Sequence, residues 1–277
     1  MSSQAVNRQF DPSSVVREPV RSDRSYVPSR RDGARTHDHI RLDMNESPYG
    51  PSPKAQAAIA AFVTTNRYPD FDQWALRDAI AEYTGVTAEQ VFCGAGADDV
   101  LNMLAQATLD AGDEIIISEP TFGVYRMQAN LRGAITINVP LTKEFQLDVD
   151  GVLGAITDKT KYIIICTPNN PTGNDLERDD IERIAQQAPC LVVIDEAYSE
   201  FSGASYADYV DKYENVVVFR TMSKFAGLAG MRVGYGLVPK TMAPHMENIV
   251  QPCHNVSYVS SEAAIASLDD LDYLMGV

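Results

Sequence analysis

Residues 215–236 read NVVVFRTMSKFAGLAGMRVGYG, an apolar run followed by a loop that carries Lys224 among small residues, two hydroxyls and an arginine. Val216 to Phe219 are β-branched or aromatic at every position, the pattern of a strand buried on both faces. Lys224 therefore falls just past a strand's carboxyl end, where open α/β sheets bind their ligands. Thr221, Ser223 and Arg232 add two hydroxyls and a planar guanidinium, a set suited to phosphate oxygens. Read alone, the segment also admits a surface lysine beside a structural arginine, so the remainder of the chain has to decide.

Alternation of the same kind runs outward in both directions from this stretch. Helical spacing predicts helices over Pro53–Phe62, Phe71–Tyr83, Asp98–Leu109, Val124–Leu131, Val152–Ile156, Glu177–Gln187 and Ser260–Leu274. Short apolar runs predict strands over Gln90–Cys93, Glu114–Ser118, Ile135–Val139, Tyr162–Cys166, Leu191–Ile194, Val216–Phe219 and Val233–Leu237. Helices alternating with short apolar strands indicate an α/β fold, a mostly parallel sheet sandwiched by helices.

Composition narrows the classes. At 277 residues with 45% hydrophobic and 22% charged side chains, the chain can bury a substantial core. A formal net charge of −15 argues against a nucleic-acid surface and makes any anionic ligand depend on a local cluster of donors. No twenty-residue apolar run and no signal-peptide segment is present, so a cytoplasmic protein with no membrane partner is expected. Cys93, Cys166, Cys190 and Cys253 are widely spaced, without a Cys-x-x-Cys pair, and read as reduced thiols rather than metal ligands. Residues 1–41 hold eight arginines against five acids and lack apolar periodicity, which reads as an extended or disordered arm.

The other strand ends are chemically dense. Cys93-Gly-Ala-Gly-Ala-Asp-Asp99 is a Gly-rich turn into a helix, which offers free backbone N–H groups to an anion or simply caps a helix. Phe122, in Ser118–Tyr125, can stack on a flat ligand or pack in the core. Thr167-Pro-Asn-Asn-Pro-Thr-Gly173 gives either a rigid amide platform or only a tight loop. Leu191-Val-Val-Ile-Asp-Glu-Ala-Tyr198 ends an apolar strand in a carboxylate, which needs a cation or a proton if it is buried, unless it caps the next helix.

Jointly these parts make an amine nucleophile (Lys224), a carboxylate for a ring nitrogen (Asp195), an amide and a phenol for a ring oxygen, a stacking aromatic and a phosphate cup. Pyridoxal 5′-phosphate has a counterpart for each. On this reading Lys224 condenses with the cofactor's aldehyde. No metal site is expected.

The segments Leu42–Pro53 (LDMNESPYGPSP), Asn66–Asp70 (NRYPD), Pro168–Asn174 (PNNPTGN), Val192–Tyr198 (VVIDEAY) and Arg220–Tyr235 (RTMSKFAGLAGMRVGY) occur in this order. In order and spacing the sequence resembles the fold-type I pyridoxal-phosphate aminotransferases, class I/II, and among them the histidinol-phosphate group. The resemblance runs from about Val15 to the last residue. It implies that Asn170 and Tyr198 bond the cofactor's phenolic oxygen, Asp195 its ring nitrogen, and that Phe122 stacks on the ring. Ala97, Asp98, Thr221, Ser223 and Arg232 would form the phosphate cup. Tyr68 would reach the phosphate of a partner subunit, so a homodimer is implied, and Asn45 and Tyr26 would contact substrate.

It further implies small-molecule amino-acid and 2-oxo-acid substrates, with conversion of histidinol phosphate and 2-oxoglutarate to imidazole-acetol phosphate and glutamate. An aromatic aminotransferase, a phosphothreonine decarboxylase, or a cofactor-binding protein without turnover are the alternatives. The implied organisation is an amino-terminal arm at 1–41, a cofactor-binding large domain at 42–259, and at 260–277 the start of a helix leading to a smaller domain that this chain lacks. Arg126 and Arg132 read as surface residues, leaving no obvious substitute for that domain's carboxylate-binding arginines.

Overall fold

The computed structural model describes residues 12–22, 42–246 and 254–277. Tyr26 and Cys253 lie outside these residues. The strands are β1 (Val91–Gly94), β2 (Glu114–Ile117), β3 (Ile135–Asn138), β4 (Thr160–Cys166), β5 (Leu191–Asp195), β6 (Val216–Thr221) and β7 (Gly234–Leu237). They form one sheet in the order β1-β7-β6-β5-β4-β2-β3. β7 runs antiparallel to both β1 and β6, and all the other pairs are parallel. The carboxyl ends of β1, β2, β4, β5 and β6 therefore open onto one edge of the sheet.

The helices are α1 (Glu18–Ser22), α2 (Pro53–Ala61), α3 (Trp74–Thr84), α4 (Ala97–Thr108), α5 (Val124–Arg132), α6 (Val149–Gly154), α7 (Arg178–Gln187), α8 (Ser199–Ser202), α9 (Tyr209–Lys212), α10 (Ala243–His245), α11 (Tyr258–Leu268) and α12 (Leu271–Leu274). Strand alternation feeds two cores. Val192, Ile194, Val216 and Val218 pack with Ile80, Ile184 and Ala263 of α3, α7 and α11. Val193, Val217 and Phe219 pack on the other face with Leu104, Tyr125 and Ala129 of α4 and α5. The period-2 side-chain direction of a strand is enough to separate them.

Local chemistry sets the boundaries. Ser52 caps α2 by accepting from the Ala55 N–H at 3.3 Å, with Pro53 in the first turn. α3 begins three residues later than the aromatic spacing from Phe71 suggests. Gln73 adopts a left-handed φ of 55°, and the Trp74 N–H donates to Asp70 Oδ2 at 3.0 Å. The single helix expected over Ser260–Leu274 is two helices, because the chain turns at Asp269–Asp270. Lys54 holds that turn: its Nζ donates to the Asp269 carbonyl and its N–H to Asp270 Oδ2.

Two further expectations are corrected. Residues 12–22 are not an unstructured arm: a 3₁₀ turn and α1 lie there, and Arg17 Nη2 donates to the Leu131 carbonyl of α5 at 2.7 Å. Arg126 and Arg132 are half-buried rather than free at the surface. Arg126 pairs with Glu119 at 2.8 Å, and Arg132 donates to Asn102 Oδ1 at 2.6 Å. Among the described residues no helix is long and apolar enough to cross a membrane.

Candidate active site

Asp195 ends β5 in register with Cys166 of β4 and Phe219 of β6. It is 7% exposed and has no ionic partner among the described residues. Its oxygens accept from the Tyr125 hydroxyl at 2.6 Å and the Ala197 N–H at 3.0 Å. Burial pushes its carboxyl above the usual range, the two donors pull it back, Asp98 pushes it further up and Lys224 opposes that. The Ala197 bond is a local turn bond and not a helix cap, since α8 starts at Ser199 with Tyr198 at its N-cap position. It leaves the buried charge uncompensated.

Lys224 lies three residues beyond β6, half-buried, with Nζ donating to the Met44 carbonyl at 2.8 Å and standing 5.7 Å from the Tyr198 ring centre. Burial lowers the ammonium from its usual value and Arg232 adds to this, while Asp98, Glu46 and Asp195 resist. The segment over the lysine is docked by backbone contact. Gly227 has φ +64°, and a Cβ there would collide with the Gly50 carbonyl. Asn45 sits in that segment with φ 50° and donates to the Tyr198 hydroxyl at 3.0 Å.

Two cavities meet at this pair. One, of about 440 Å³, is lined by Asn45, Tyr198, Glu200, Lys224 and Phe225 among others. The second, of about 400 Å³, shares Asn45 and Tyr198 and adds Asn170. The peptide bonds Thr167–Pro168 and Asn170–Pro171 are cis. Asp195 lines neither cavity and couples to Lys224 and Asp98 through charge.

The anion cup is assembled as well. Gly96, with φ +89°, opens α4, and a Cβ on it would occupy the place of the Arg232 guanidinium. Arg232 Nη1 donates to Ser223 Oγ at 3.3 Å, and Nη2 lies 3.6 Å from Asp98 Oδ2. The Thr221 hydroxyl accepts from the Ser223 N–H at 3.1 Å. The N–H groups of Ala97 and Asp98, at the positive end of a twelve-residue helix, have no acceptor among the described residues. Helix dipole, guanidinium and hydroxyls thus converge where a phosphate would sit.

Phe122 is partly buried against the second core and meets Tyr125 edge-on at 5.6 Å and 86°. Tyr68 stands apart. It is 82% exposed, stacks on His254 at 4.7 Å, and lines a different cleft of about 740 Å³ with Phe62, Arg67 and Tyr258. Sequence reasoning missed Tyr125. Its signal was faint: a hydroxyl-bearing aromatic three positions after Phe122, in the first turn of α5, needing a partner once buried.

The donor set fits pyridoxal phosphate on this geometry: a buried carboxylate without a cation, an amine whose charge burial disfavours, and backbone donors without acceptors beside an arginine. Comparison with known proteins agrees. The family model "Aminotransferase class I and II" matches residues 37–274. A histidinol-phosphate aminotransferase from Roseiflexus castenholzii is 44% identical over 84% of this chain and 64% of its own length. One from Methanococcoides burtonii is 40% identical over 94% of this chain and 74% of its own. The chain thus spans less than two thirds of the Roseiflexus relative. The crystal structure of the Sinorhizobium meliloti histidinol-phosphate aminotransferase in complex with pyridoxal-5′-phosphate superposes with TM-score 0.77 at 30% identity, covering 83% of this chain and 64% of that one. Aspartate aminotransferase from Thermus thermophilus, at 24% identity and TM-score 0.75, shares the fold. The chain belongs to the class I and II aminotransferase family.

Proposed function

We propose that this chain binds pyridoxal 5′-phosphate and transfers the amino group between histidinol phosphate and 2-oxoglutarate. The observation that carries the cofactor reading is Asp195, a buried carboxylate held by two neutral donors and lacking a cation, beside an amine whose charge burial disfavours. The substrate reading rests on the likeness to the Roseiflexus and Methanococcoides enzymes.

When bound, the cofactor supplies an aldehyde that condenses with amines and a ring that takes up the electron pair left when an α-proton departs. The chain's residues do the rest. Lys224, whose ammonium form burial disfavours, would be the amine that holds the cofactor's aldehyde and the group that moves the α-proton as base and acid. Asp195 would hold a proton on the ring nitrogen. Asn170 and Tyr198 would hold the phenolic oxygen, and Phe122 would cover the ring. Ala97 and Asp98 with their N–H groups, Thr221, Ser223 and Arg232 would fix the phosphate and Asn45 would border the substrate; Tyr26 lies outside the described residues and is assigned to the substrate by the resemblance alone.

Borohydride reduction of the cofactor-loaded chain, followed by peptide mapping, should leave the pyridoxyl group on Lys224. A label on Lys161 or Lys240 would overturn the assignment. The exposed Tyr68 face, with Val63, Phe71 and Trp74 also exposed, is the surface we assign to a second copy. A monomer at all concentrations in sedimentation would remove that part. Cytoplasmic location is proposed with it, on Cys93, Cys166 and Cys190 being free thiols.

A further inference from the structure

We propose that Tyr125 is the positioning residue of the site, fixing Asp195 and Phe122 together from one turn of α5. The inference rests on the cofactor reading above. Tyr125 is 2% exposed, and its hydroxyl donates to Asp195 Oδ2 at 2.6 Å, a short bond of the charge-assisted kind. Its ring meets Phe122 edge-on at 5.6 Å. One side chain therefore touches both groups that would bracket the cofactor ring, the carboxylate for its nitrogen and the aromatic for its face. The hydroxyl is not needed to fill the core, since a phenylalanine would occupy the same volume and keep the ring contact.

The hydrogen bond has a chemical consequence. Asp195 faces Asp98 from α4, Lys224 from the loop after β6, Cys166 from β4, Tyr198 beyond its own strand, and Tyr125 from α5. Burial favours the protonated acid there, and a protonated acid cannot hold a proton on a ring nitrogen. Tyr125 and the Ala197 N–H are the two donors that favour the ionised form. The Cys166 thiol, pushed up to about 12 chiefly by burial, stays neutral and donates to the Pro168 carbonyl at 3.5 Å. Removal of the Tyr125 hydroxyl leaves the carboxylate with one donor and a freer rotamer, and moves the shared proton from the ring towards the acid.

The test compares the unmutated chain with Tyr125→Phe and with Tyr162→Phe, the buried Tyr162 hydroxyl having no hydrogen-bond partner among the described residues. The Asp195 carboxyl is titrated without cofactor by carbon-13 NMR, assigned with Asp195→Asn. The midpoint should rise by about one pH unit or more in Tyr125→Phe, since a bond to a charged group is worth at least a tenfold change in proton affinity. It should stay in place in Tyr162→Phe. Pyridoxal phosphate affinity should fall about tenfold in the first variant alone. An unmoved midpoint, or an equal rise in both variants, would overturn the proposal. Should Tyr125→Phe not fold, the unmutated chain still decides: its Tyr125 hydroxyl proton should be protected from solvent exchange and lose protection in Asp195→Ala. Rapid exchange in the unmutated chain would be contrary evidence. The titration and the hydroxyl exchange need no cofactor on Lys224, so failure here and failure of the functional reading are separable.

Discussion

Asp195 and Glu196 are consecutive acids at the end of one strand, 7% and 1% exposed, and they have opposite fates. Glu196 turns to the face of α3 and α9, where Arg220 Nε reaches Glu196 Oε2 at 2.7 Å and the Tyr206 N–H donates to Glu196 Oε1. Arg220 is itself placed by alternation, between Phe219 and Thr221 on β6, and its Nη2 donates to Ser205 at 2.6 Å. Asp195 turns to the other face and meets only neutral donors. Burial pushes both acids upward; Glu196 has Arg220 in direct contact to set against it, whereas Asp195 feels the charge of Lys224 without an ion pair among the described residues. On the proposed function, the difference separates a charge used to build the fold from a charge kept in reserve for a ligand.

The comparison breaks if the two acids respond alike to mutation. Arg220→Met leaves Glu196 buried and unpaired, and should destabilise the chain by about 3–5 kcal/mol in urea unfolding. Adding Glu196→Leu should return most of that loss, because an apolar pair removes the desolvation penalty along with the attraction. Asp195→Asn should act in the other direction, stabilising the cofactor-free chain by about 1 kcal/mol, as expected where function holds a strained group.

pH sharpens the same contrast. The folded carboxyl of Asp195 lies above its unfolded value, so the folded state binds the proton more tightly between the two. Its contribution to stability is full below the unfolded value and is lost as pH rises through the folded one. Asp195→Asn should therefore flatten the fall of the urea midpoint above the ordinary carboxylate range. Glu196 and Glu200 are shifted in the same direction and remain in both proteins, so the difference between the two curves isolates Asp195.

Much of this arrangement is legible in the sequence because it is local. Apolar runs mark the strands, and the carboxyl ends of parallel strands are where chemistry collects, which locates Asp195, Lys224 and the Gly96 turn without coordinates. What is not legible depends on distant partners. Tyr125 and Asp195 are 70 positions apart, and Glu196 finds Arg220 24 positions away. The sequence singles out Asp195 at the end of the apolar strand, but only the pairing of β5 with β6 shows that Glu196 is the acid that receives the arginine. The division of the last helix is hidden for the same reason, since Lys54 reaches it across 215 positions. Tyr68 marks another limit, because its assigned role lies across an interface between copies.

The central claim is that Asp195 is left without a cation so that it can hold a ring proton, and α-proton exchange tests it most directly. The chain and its Asp195→Asn variant, each loaded with pyridoxal phosphate and given an amino-acid substrate in deuterated water, are compared for exchange at the α-carbon and for cofactor affinity. Loss of an electrostatic partner that matters most in the transition state should slow exchange about 100-fold or more, with affinity falling far less. Equal exchange rates in the two proteins would contradict the account and leave Asp195 as no more than the acceptor of a local turn bond.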